Sequence, residues 1–180
     1  MRSDSVLPSQ SESASPPRSQ RFLVCGLGSL GQHCAAALRE FGVLVIAIDR
    51  QQPQDWGIPD LLEQLDEFIL GDCRLPRVLE QARIQDCQAV LMVTSNEQIN
   101  IEAALTARRL HPRIRLVVRS AKQNLNELLQ QSLGNFVAFE PAQLSTSAFA
   151  LAALGKQTQA RFLPRGSTLA GGAPPVASQR

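Results

Sequence analysis

Short apolar runs alternate with amphipathic segments through the middle of the chain. Runs of four to six apolar residues are typical of buried strands, whereas apolar residues spaced three and four apart are typical of helices that pack on them. The runs predict strands over residues 21–25, 43–48, 67–70, 89–93, 114–118 and 136–139. The amphipathic segments predict helices over residues 29–41, 60–65, 74–83, 95–110 and 123–132. This alternation, with right-handed crossovers, predicts an α/β fold: a doubly wound, six-stranded parallel sheet with helices on both faces.

One more predicted helix, over residues 142–154, is apolar on nearly every side. One stripe is formed by Leu144, Ala148, Leu151 and Leu154. Further apolar residues cover much of the remaining surface, namely Phe149, Ala150, Ala152 and Ala153. A surface helix normally keeps a polar face, so this C-terminal apolar helix indicates a second surface that covers it. We interpret it as a contact between copies in a homodimer or ring, with burial inside its own domain as the alternative.

Both ends of the chain differ from this core in composition. Residues 1–20 contain seven Ser and three Pro, with too little apolar surface to offset the entropy of ordering, so they predict a disordered leader. Residues 156–180 contain four basic residues, three Pro, three Gly and no acid, which is typical of a flexible basic tail or linker. A single domain is therefore expected over residues 21–155.

A glycine-rich turn joins the first predicted strand to the first predicted helix. It reads GLGSLG over residues 26–31 and fits the pattern GxGxxG in a strand-turn-helix context. Gly26 allows a sharp turn, Gly28 leaves room for a phosphate close to the backbone, and Gly31 lets the helix pack near the strand. With the N–H groups at the helix start, these positions predict a Rossmann-like nucleotide site. A packing turn that binds nothing is the alternative.

An acidic residue, Asp49, ends the second apolar run and follows the glycine turn at the distance typical of dinucleotide sites. Its carboxylate can accept hydrogen bonds from ribose hydroxyls and would repel a 2′-phosphate, which favours NAD or NADH over NADP. Arg50 adjoins Asp49 and would soften that preference. ADP and ATP carry the same ribose, so they are candidates for the same site.

Composition argues against several other classes of function. The formal net charge is only +2, and no stretch interleaves basic with aromatic residues, so no nucleic-acid partner is expected. The cysteines at positions 25, 34, 73 and 87 lack metal-ligand spacing, so no metal site is expected. Cys25 and Cys34 fall on apolar faces and are expected to be buried in a reducing cytoplasm. No run approaches the roughly eighteen apolar residues of a membrane span, so direct membrane insertion is not expected.

Six segments in order carry a family resemblance: CGLGSLG, VIAIDR, ILGDC, LMVTSNEQIN, LVVRS and FEPAQLSTSAFALAAL. The series resembles the N-terminal nucleotide-binding domain of the regulator-of-potassium-conductance family, also called RCK, KTN or TrkA-N. The resemblance implies a cytoplasmic regulatory domain, not an enzyme. It also implies assembly into a homodimer or ring at the inner face of the membrane, beneath a potassium channel or a Trk/Ktr-type transporter that nucleotide binding controls.

The resemblance also extends the candidate site beyond the glycine turn. It places Asp72 and Cys73 beside the adenine, although Asp72 could instead cap the following helix. It places polar groups after the fourth strand and a basic group, Arg119, after the fifth, with an ion pair as the alternative role of Arg119. The candidate nucleotide-binding residues are therefore Gly26, Leu27, Gly28, Ser29, Leu30, Gly31, Asp49, Arg50, Asp72, Cys73, Thr94, Ser95, Asn96 and Arg119.

Two departures from the family pattern are visible. Many members carry Arg inside the glycine turn, where this chain has Ser29 and Leu30. Phosphate binding is therefore expected to depend on backbone N–H groups and on Ser29. The family also usually adds a smaller C-terminal ligand-binding domain, and nothing after residue 155 resembles one.

Two other functions are alternatives to the regulatory one. A small NAD-dependent oxidoreductase would need a proton donor or acceptor near the nicotinamide, and neither His33 nor His111 is expected there. A redox sensor acting through Cys73 would rest on one thiol without a predicted partner, so a small buried residue is the preferred interpretation.

After the fourth predicted strand, Ser95 and Gln98 have the spacing of a helix-capping box, which predicts that the next helix begins at Ser95.

Overall fold

A single six-stranded parallel sheet organises the computed structural model, which describes residues 20–140, 150 and 152–154. The strand order is β3-β2-β1-β4-β5-β6. The strands are β1 (Arg21–Cys25), β2 (Leu44–Asp49), β3 (Glu67–Leu70), β4 (Cys87–Met92), β5 (Arg115–Arg119) and β6 (Phe136–Phe139). This is the doubly wound Rossmann-like order, so the predicted fold class is confirmed. The chain order reverses between β1 and β4, and ligands of such sheets bind at the carboxyl ends of the strands beside that point.

Helices connect the strands at nearly every crossover. They are α1 (Ser29–Glu40), α2 (Leu61–Gln64), α3 (Pro76–Gln81), α4 (Glu97–Leu110) and α5 (Gln123–Leu133), with a 3₁₀ turn at Ile84–Asp86. Helix α3 is shorter than the predicted 74–83. Pro76 starts it, as suits a residue whose missing N–H would have no partner at that position. Arg83, with a left-handed φ of 53°, ends the segment.

The sheet separates two buried clusters, because successive side chains of a strand point to opposite faces. In β1, Leu23 and Cys25 belong to the cluster beneath α3 and α4, whereas Phe22 and Val24 belong to the cluster beneath α1. Residues 22–25 are completely buried. A central parallel strand therefore needs apolar residues at every position, and this is why the first run shows no polar alternation.

The described end of the predicted helix 142–154 packs on its own domain. Residues 150 and 152–154 are helical, and Ala150 and Ala153 are buried in the cluster that contains Phe22. Arg115 Nη1 on β5 donates to the carbonyl oxygen of Ala152 at 2.9 Å. This part of the helix therefore follows the alternative reading, burial within the domain. Its other predicted contact residues, Leu144, Ala148, Phe149 and Leu151, lie outside the described residues.

The predicted disordered leader and the predicted basic tail also lie outside the described residues, since residues 1–19 and 155–180 are not described. Within the described ranges, none of the helices combines the length and the apolar character that a membrane crossing requires. Across residues 20–140, 150 and 152–154, no group of three or more His, Cys, Asp or Glu side chains is placed to hold a metal ion.

Candidate functional site

The three glycines of the turn meet different surroundings. Gly26 has a φ of 99°, and a Cβ on it would lie 2.9 Å from backbone atoms of Thr94. A Cβ on Gly31 would overlap the carbonyl oxygen of Gly26, so α1 reaches the strand only because this position has no side chain. A Cβ on Gly28 would meet no atom within 4 Å. Two glycines therefore serve the fold, while Gly28 borders open space, as a phosphate-facing position requires.

Helix α1 begins directly at this open space. Gly28 precedes its first residue and has no side chain to cap it. The first N–H groups of any α-helix lack partners within the helix and carry a partial positive charge. An anion beside Gly28 would therefore meet unpaired backbone donors, with the Ser29 hydroxyl next to them.

Asp49 holds the glycine turn from the end of the neighbouring strand. Its Oδ2 accepts a hydrogen bond from the Leu27 N–H at 2.6 Å, and its Oδ1 accepts one from the Gln51 N–H at 3.1 Å. A carboxylate offers about four acceptor positions, so about two of these are left for ribose hydroxyls. The structure adds a role that the sequence did not predict, because the same carboxylate also fixes the turn.

Gln32 ties the turn to the loop that follows Asp49. Its Nε2 donates to the carbonyl oxygens of Leu27 at 3.0 Å and Asp55 at 3.1 Å. Its Oε1 accepts from the Gly57 N–H at 2.9 Å, and the side chain is buried. The loop beside the ribose position is thus fastened to α1.

Asp72 follows β3 and is already engaged by Arg74. Arg74 Nη2 lies 2.7 Å from Asp72 Oδ2, and Arg74 Nε lies 3.1 Å from Oδ1. The Arg74 guanidinium, with a smaller contribution from Arg50, holds the pKa of the Asp72 carboxyl below its ordinary value. Asp72 does not cap α3, which begins only at Pro76 after Leu75. Its carboxylate instead accepts from the Arg74 N–H at 2.9 Å and orders the loop beside the predicted adenine position.

The loop after β4 is built by Asn96 and Asn100. Asn96 Oδ1 accepts from the Ile99 N–H at 3.1 Å and caps α4, so the predicted capping role of Ser95 is wrong by one residue. Both side chains can cap a helix, and the one that reaches the third N–H decides where the helix begins. Asn100 Oδ1 accepts hydrogen bonds from the N–H and the hydroxyl of Thr94 and so fixes the start of the loop.

The loop after β5 is fastened by Glu97, the first residue of α4. Glu97 Oε1 accepts from the Ser120 hydroxyl, from the Ala121 N–H at 3.1 Å and from the Lys122 N–H at 3.2 Å. The Ser120 hydroxyl is the largest of the influences that lower the pKa of Glu97. Arg119, one residue earlier, turns toward β4 and its Nη1 lies 3.4 Å from the Thr94 carbonyl oxygen. No ion pair of Arg119 occurs among residues 20–140, 150 and 152–154.

These elements surround a cleft of about 590 Å³ at the carboxyl ends of the strands. Twelve of the candidate binding residues line it: Gly26, Gly28, Ser29, Leu30, Asp49, Arg50, Asp72, Cys73, Thr94, Ser95, Asn96 and Arg119. Leu27 and Gly31 do not, because the Leu27 side chain is buried and Gly31 packs beneath the turn. The cleft is also lined by five residues outside that candidate list, namely His33, Ile48, Gly71, Val93 and Ile99, of which Gly71 belongs to the segment ILGDC that carries the resemblance.

His33 lies one helical turn after the glycine motif. Its Nδ1 is 2.7 Å from the Ser29 carbonyl oxygen, and because a carbonyl only accepts, Nδ1 carries the proton. The ring is exposed beside the start of α1, on the side expected for phosphate. The sequence signal for its place in the cleft is its position one helical turn after Ser29 on the same helix.

Cys73 has a thiol neighbour that the sequence did not predict. Burial raises the pKa of the Cys25 thiol, and a hydrogen bond with Cys25 lowers the pKa of Cys73. Cys25, Cys34 and Cys73 are all buried, and this confirms the expectation for the first two. Both thiols of the pair belong to the core cluster beneath α3 and α4, although Cys73 also borders the cleft.

Comparison with known proteins decides the family. The model of the TrkA-N domain matches residues 22–140, which is more than half of the chain. The chain belongs to the TrkA-N domain family. The resemblance inferred from the six sequence segments is thereby confirmed, and the matched range contains every candidate binding residue of the TrkA-N domain.

Two curated relatives of this TrkA-N domain are named for potassium transport. Potassium channel protein 1 of Methanocaldococcus jannaschii is 25% identical over 112 residues, covering 61% of this chain and 33% of that protein. The Trk system potassium uptake protein TrkA homolog of Pyrococcus abyssi is 26% identical over 112 residues, covering 61% of this chain and 48% of that protein. The chain thus spans between a third and a half of the length of these relatives.

A solved structure of similar architecture is GsuK bound to ADP. It matches the TrkA-N domain with a TM-score of 0.55 at 26% identity, covering 73% of this chain and 32% of that chain. The common part is again only a portion of the larger protein.

Proposed function

We propose that this TrkA-N domain is a cytoplasmic regulatory domain that binds an adenine nucleotide and thereby controls potassium transport through a membrane-embedded channel or Trk/Ktr-type transporter. The cleft of about 590 Å³ is the observation that carries the proposal, because it places an open glycine position beside a carboxylate at the end of β2. Small-molecule sites of roughly 300–1,000 Å³ are usual. The names of the two potassium-transport relatives and the ADP-bound GsuK structure support the same function.

The cleft has two halves: one over β1 and β2, with Gly28 and Asp49, and one over β4 and β5, with Thr94 and Arg119. The bound nucleotide extends across both halves. Asp49 accepts the ribose hydroxyls with its remaining oxygen positions, and the start of α1 receives the phosphates at Gly28 and Ser29. The remainder of the ligand lies over β4 and β5, beside Thr94 and Arg119. NAD or NADH fills that length, and the negative charge of Asp49 disfavours NADP. ADP or ATP would direct its terminal phosphates toward the Arg119 guanidinium.

Adenine lies beside the loop after β3 in this arrangement. Asp72 and Cys73 border that end of the cleft, with Arg50 across from Asp72. Because Arg74 occupies both oxygens of Asp72, we assign Asp72 to holding the loop more than to binding the base directly.

Regulation requires that the nucleotide bind one conformation of an assembly better than another. We infer that copies of the chain associate in a homodimer or ring at the inner face of the membrane, through the apolar segment 142–154. The role is regulatory and not catalytic. Sedimentation of the full chain with and without NADH tests the association, and a monomer under both conditions would contradict it.

Calorimetric titration of the full chain with NADH, NAD, NADPH, ADP and ATP tests the site. We expect saturable binding of NADH or NAD, weaker binding of NADPH, and clearly weakened binding of every nucleotide in Asp49→Ala. The order of affinities shows whether the input is redox state or energy charge. Failure of all five ligands to bind would reduce the glycine turn to a packing element and overturn the proposal.

Potassium uptake by the native cells tests the output. Removal of the chain should change the uptake rate, and the unaltered chain should restore it. The Gly28→Ala variant, which keeps the fold but obstructs phosphate, should not restore it. Restoration by this variant equal to that by the unaltered chain would separate the transport function from nucleotide binding.

A further inference from the structure

A completely buried side-chain amide joins the loop after β4 to the last residue of β5 in one half of the cleft. Asn100 is 0% exposed and lies in the second turn of α4. Its Oδ1 accepts from the Thr94 N–H at 3.0 Å and from the Thr94 hydroxyl at 2.7 Å. Its Nδ2 donates to the carbonyl oxygens of Thr94 and Arg119, each at 3.1 Å. All four hydrogen-bonding positions of the amide are therefore used, on two residues that line the cleft.

The pattern of these bonds requires an amide in one orientation. The two donors of Thr94 face Oδ1, and two carbonyl oxygens face Nδ2. A rotated amide would place donor against donor, and a carboxylate would place two acceptors against carbonyl oxygens. An apolar side chain of similar size would leave buried polar groups without partners, which is costly.

Asn100 acts where β4 and β5 no longer pair with each other, although Arg119 still pairs with Phe139 of β6. The paired register of β4 and β5 ends at Met92 and Val118. Thr94 and Arg119 lie beyond that point, and besides Asn100 only the long 3.4 Å contact from Arg119 Nη1 to the Thr94 carbonyl joins them among the hydrogen bonds within residues 20–140. The amide thus continues, with side-chain atoms, the connection that the backbone has ceased to make.

The other half of the cleft is held independently of Asn100. The Gly26 N–H donates to the Ile48 carbonyl oxygen at 2.8 Å, and the Leu27 N–H donates to Asp49. The two halves are joined by the pairing of β1 with β4, and they also meet where Gly26 packs against Thr94. Each half nevertheless has its own set of hydrogen bonds.

We propose that Asn100 is a positioning residue that holds Thr94 and Arg119 in place, and so sets the affinity for the part of a nucleotide that extends beyond its first phosphate. This inference rests on the proposed function. In a doubly wound sheet the pyrophosphate lies at the start of the first helix, so AMP reaches only as far as α1, whereas NAD continues over β4 and β5. A substitution at Asn100 should therefore weaken the binding of NAD more than the binding of AMP.

The experiment is a calorimetric titration of the full chain with AMP and with NAD. Asn100→Asp keeps both acceptor contacts with Thr94 and loses both donors. We expect its NAD affinity to fall tenfold or more, while its AMP affinity changes less than about twofold. If circular dichroism shows that this variant does not fold, Asn100→Ser takes its place, since a hydroxyl retains one donor in a smaller side chain.

The matched control is Thr106→Val on the same helix. Thr106 is also buried, and its hydroxyl donates to the Glu102 carbonyl oxygen at 3.1 Å, away from the cleft. Its substitution should lower the thermal midpoint without changing the ratio of NAD to AMP affinity. That ratio is the readout which a merely structural role of Asn100 would not move.

Three outcomes would overturn the inference. Equal weakening of AMP and NAD in the Asn100 variant would make the residue a general stabiliser, and unchanged affinities would make it irrelevant to the ligand. Failure of the unaltered chain to bind either AMP or NAD would overturn this inference, whereas the proposed function would still stand if NADH, ADP or ATP bound. Only a selective loss of NAD affinity supports the positioning role.

Discussion

The two halves of the cleft are positioned by different means. The half over β1 and β2 is held by backbone geometry and by one charged side chain, since Gly26 and Gly31 permit close contacts and Asp49 fastens the turn. The half over β4 and β5 is held by side chains of α4, namely Asn100 and Glu97. The first arrangement requires two positions without side chains in addition to the Asp49 carboxylate, whereas the second depends on polar side-chain atoms alone. Substitutions should therefore fail differently in the two halves.

The largest effect is expected from Gly31→Ala. The new Cβ would overlap the Gly26 carbonyl oxygen, a backbone atom that cannot move without displacing the turn. We expect the free energy of unfolding to fall by about 3 kcal/mol, because overpacking against backbone is poorly relieved. Urea denaturation measures it. Gly28→Ala is the matched control, since its Cβ meets nothing within 4 Å; an equal loss in both variants would contradict the distinction.

The second-largest effect is expected from Asp49→Ala, which should weaken nucleotide binding in the half of the cleft over β1 and β2. It removes the acceptor of the Leu27 N–H and the acceptor that we propose for the ribose hydroxyls. Hydrogen bonds to charged groups contribute about 1.5–3 kcal/mol, so we expect AMP and NAD affinities to fall together by roughly thirtyfold. Asp49→Asn keeps an acceptor for Leu27 and should lose less. If Asp49→Ala lowered the NAD affinity and left the AMP affinity unchanged, Asp49 would not contact the ribose that AMP and NAD share.

Gly28→Ala should affect binding alone. The methyl group enters the open space that we propose for phosphate, while the φ of −65° suits alanine and the fold has room for it. We expect about a tenfold loss of nucleotide affinity, equal to 1.4 kcal/mol, with an unchanged urea midpoint. Calorimetry and denaturation of one preparation measure both quantities. Unimpaired binding would show that the phosphates do not approach the backbone here.

The same contrast explains how far the sequence could predict the site. In the first half, the glycines and Asp49 stand at the ends of local elements, so their spacing along the chain predicts their spacing in space. The predicted bounds 67–70 and 136–139 coincide with β3 and β6, because turn-forming residues flank these strands. In the second half, the partners of Asn100 lie six and nineteen residues away and meet only when β4 and β5 become neighbours.

A signal for Asn100 did exist in the sequence. It interrupts an otherwise apolar stripe that continues through Ala103, Ala104 and Ala107 on α4, all of them buried. A polar residue in such a stripe must find partners in the interior. Which partners these are depends on the tertiary structure, and the same holds for the Cys25 thiol beside Cys73.

The smallest effect is expected from Glu97→Gln, and it concerns pH. Hydrogen bonds from Ser120 and from two backbone N–H groups lower the pKa of Glu97 in the folded chain from its ordinary value of 4.5. The folded state therefore binds its proton less readily than the unfolded state. The stabilisation is complete above the unfolded-state pKa and is lost as pH falls through the folded-state pKa. Because Glu97 is partly exposed to solvent, its contribution is about 0.5–1 kcal/mol.

Urea denaturation of both proteins at pH 7, 5, 4 and 3 isolates this contribution. Asp72 and Glu102 also have lowered pKa values, so the unaltered chain loses stability in acid for several reasons. The Glu97→Gln variant loses stability in acid for the same reasons. These losses therefore cancel when its free energy of unfolding is subtracted from that of the unaltered chain. We expect the difference to be present at pH 7 and to shrink toward pH 3. A difference that is the same at pH 3 and pH 7 would show that Glu97 fastens the loop by shape and not by charge, and the second half of the cleft would then resemble the first.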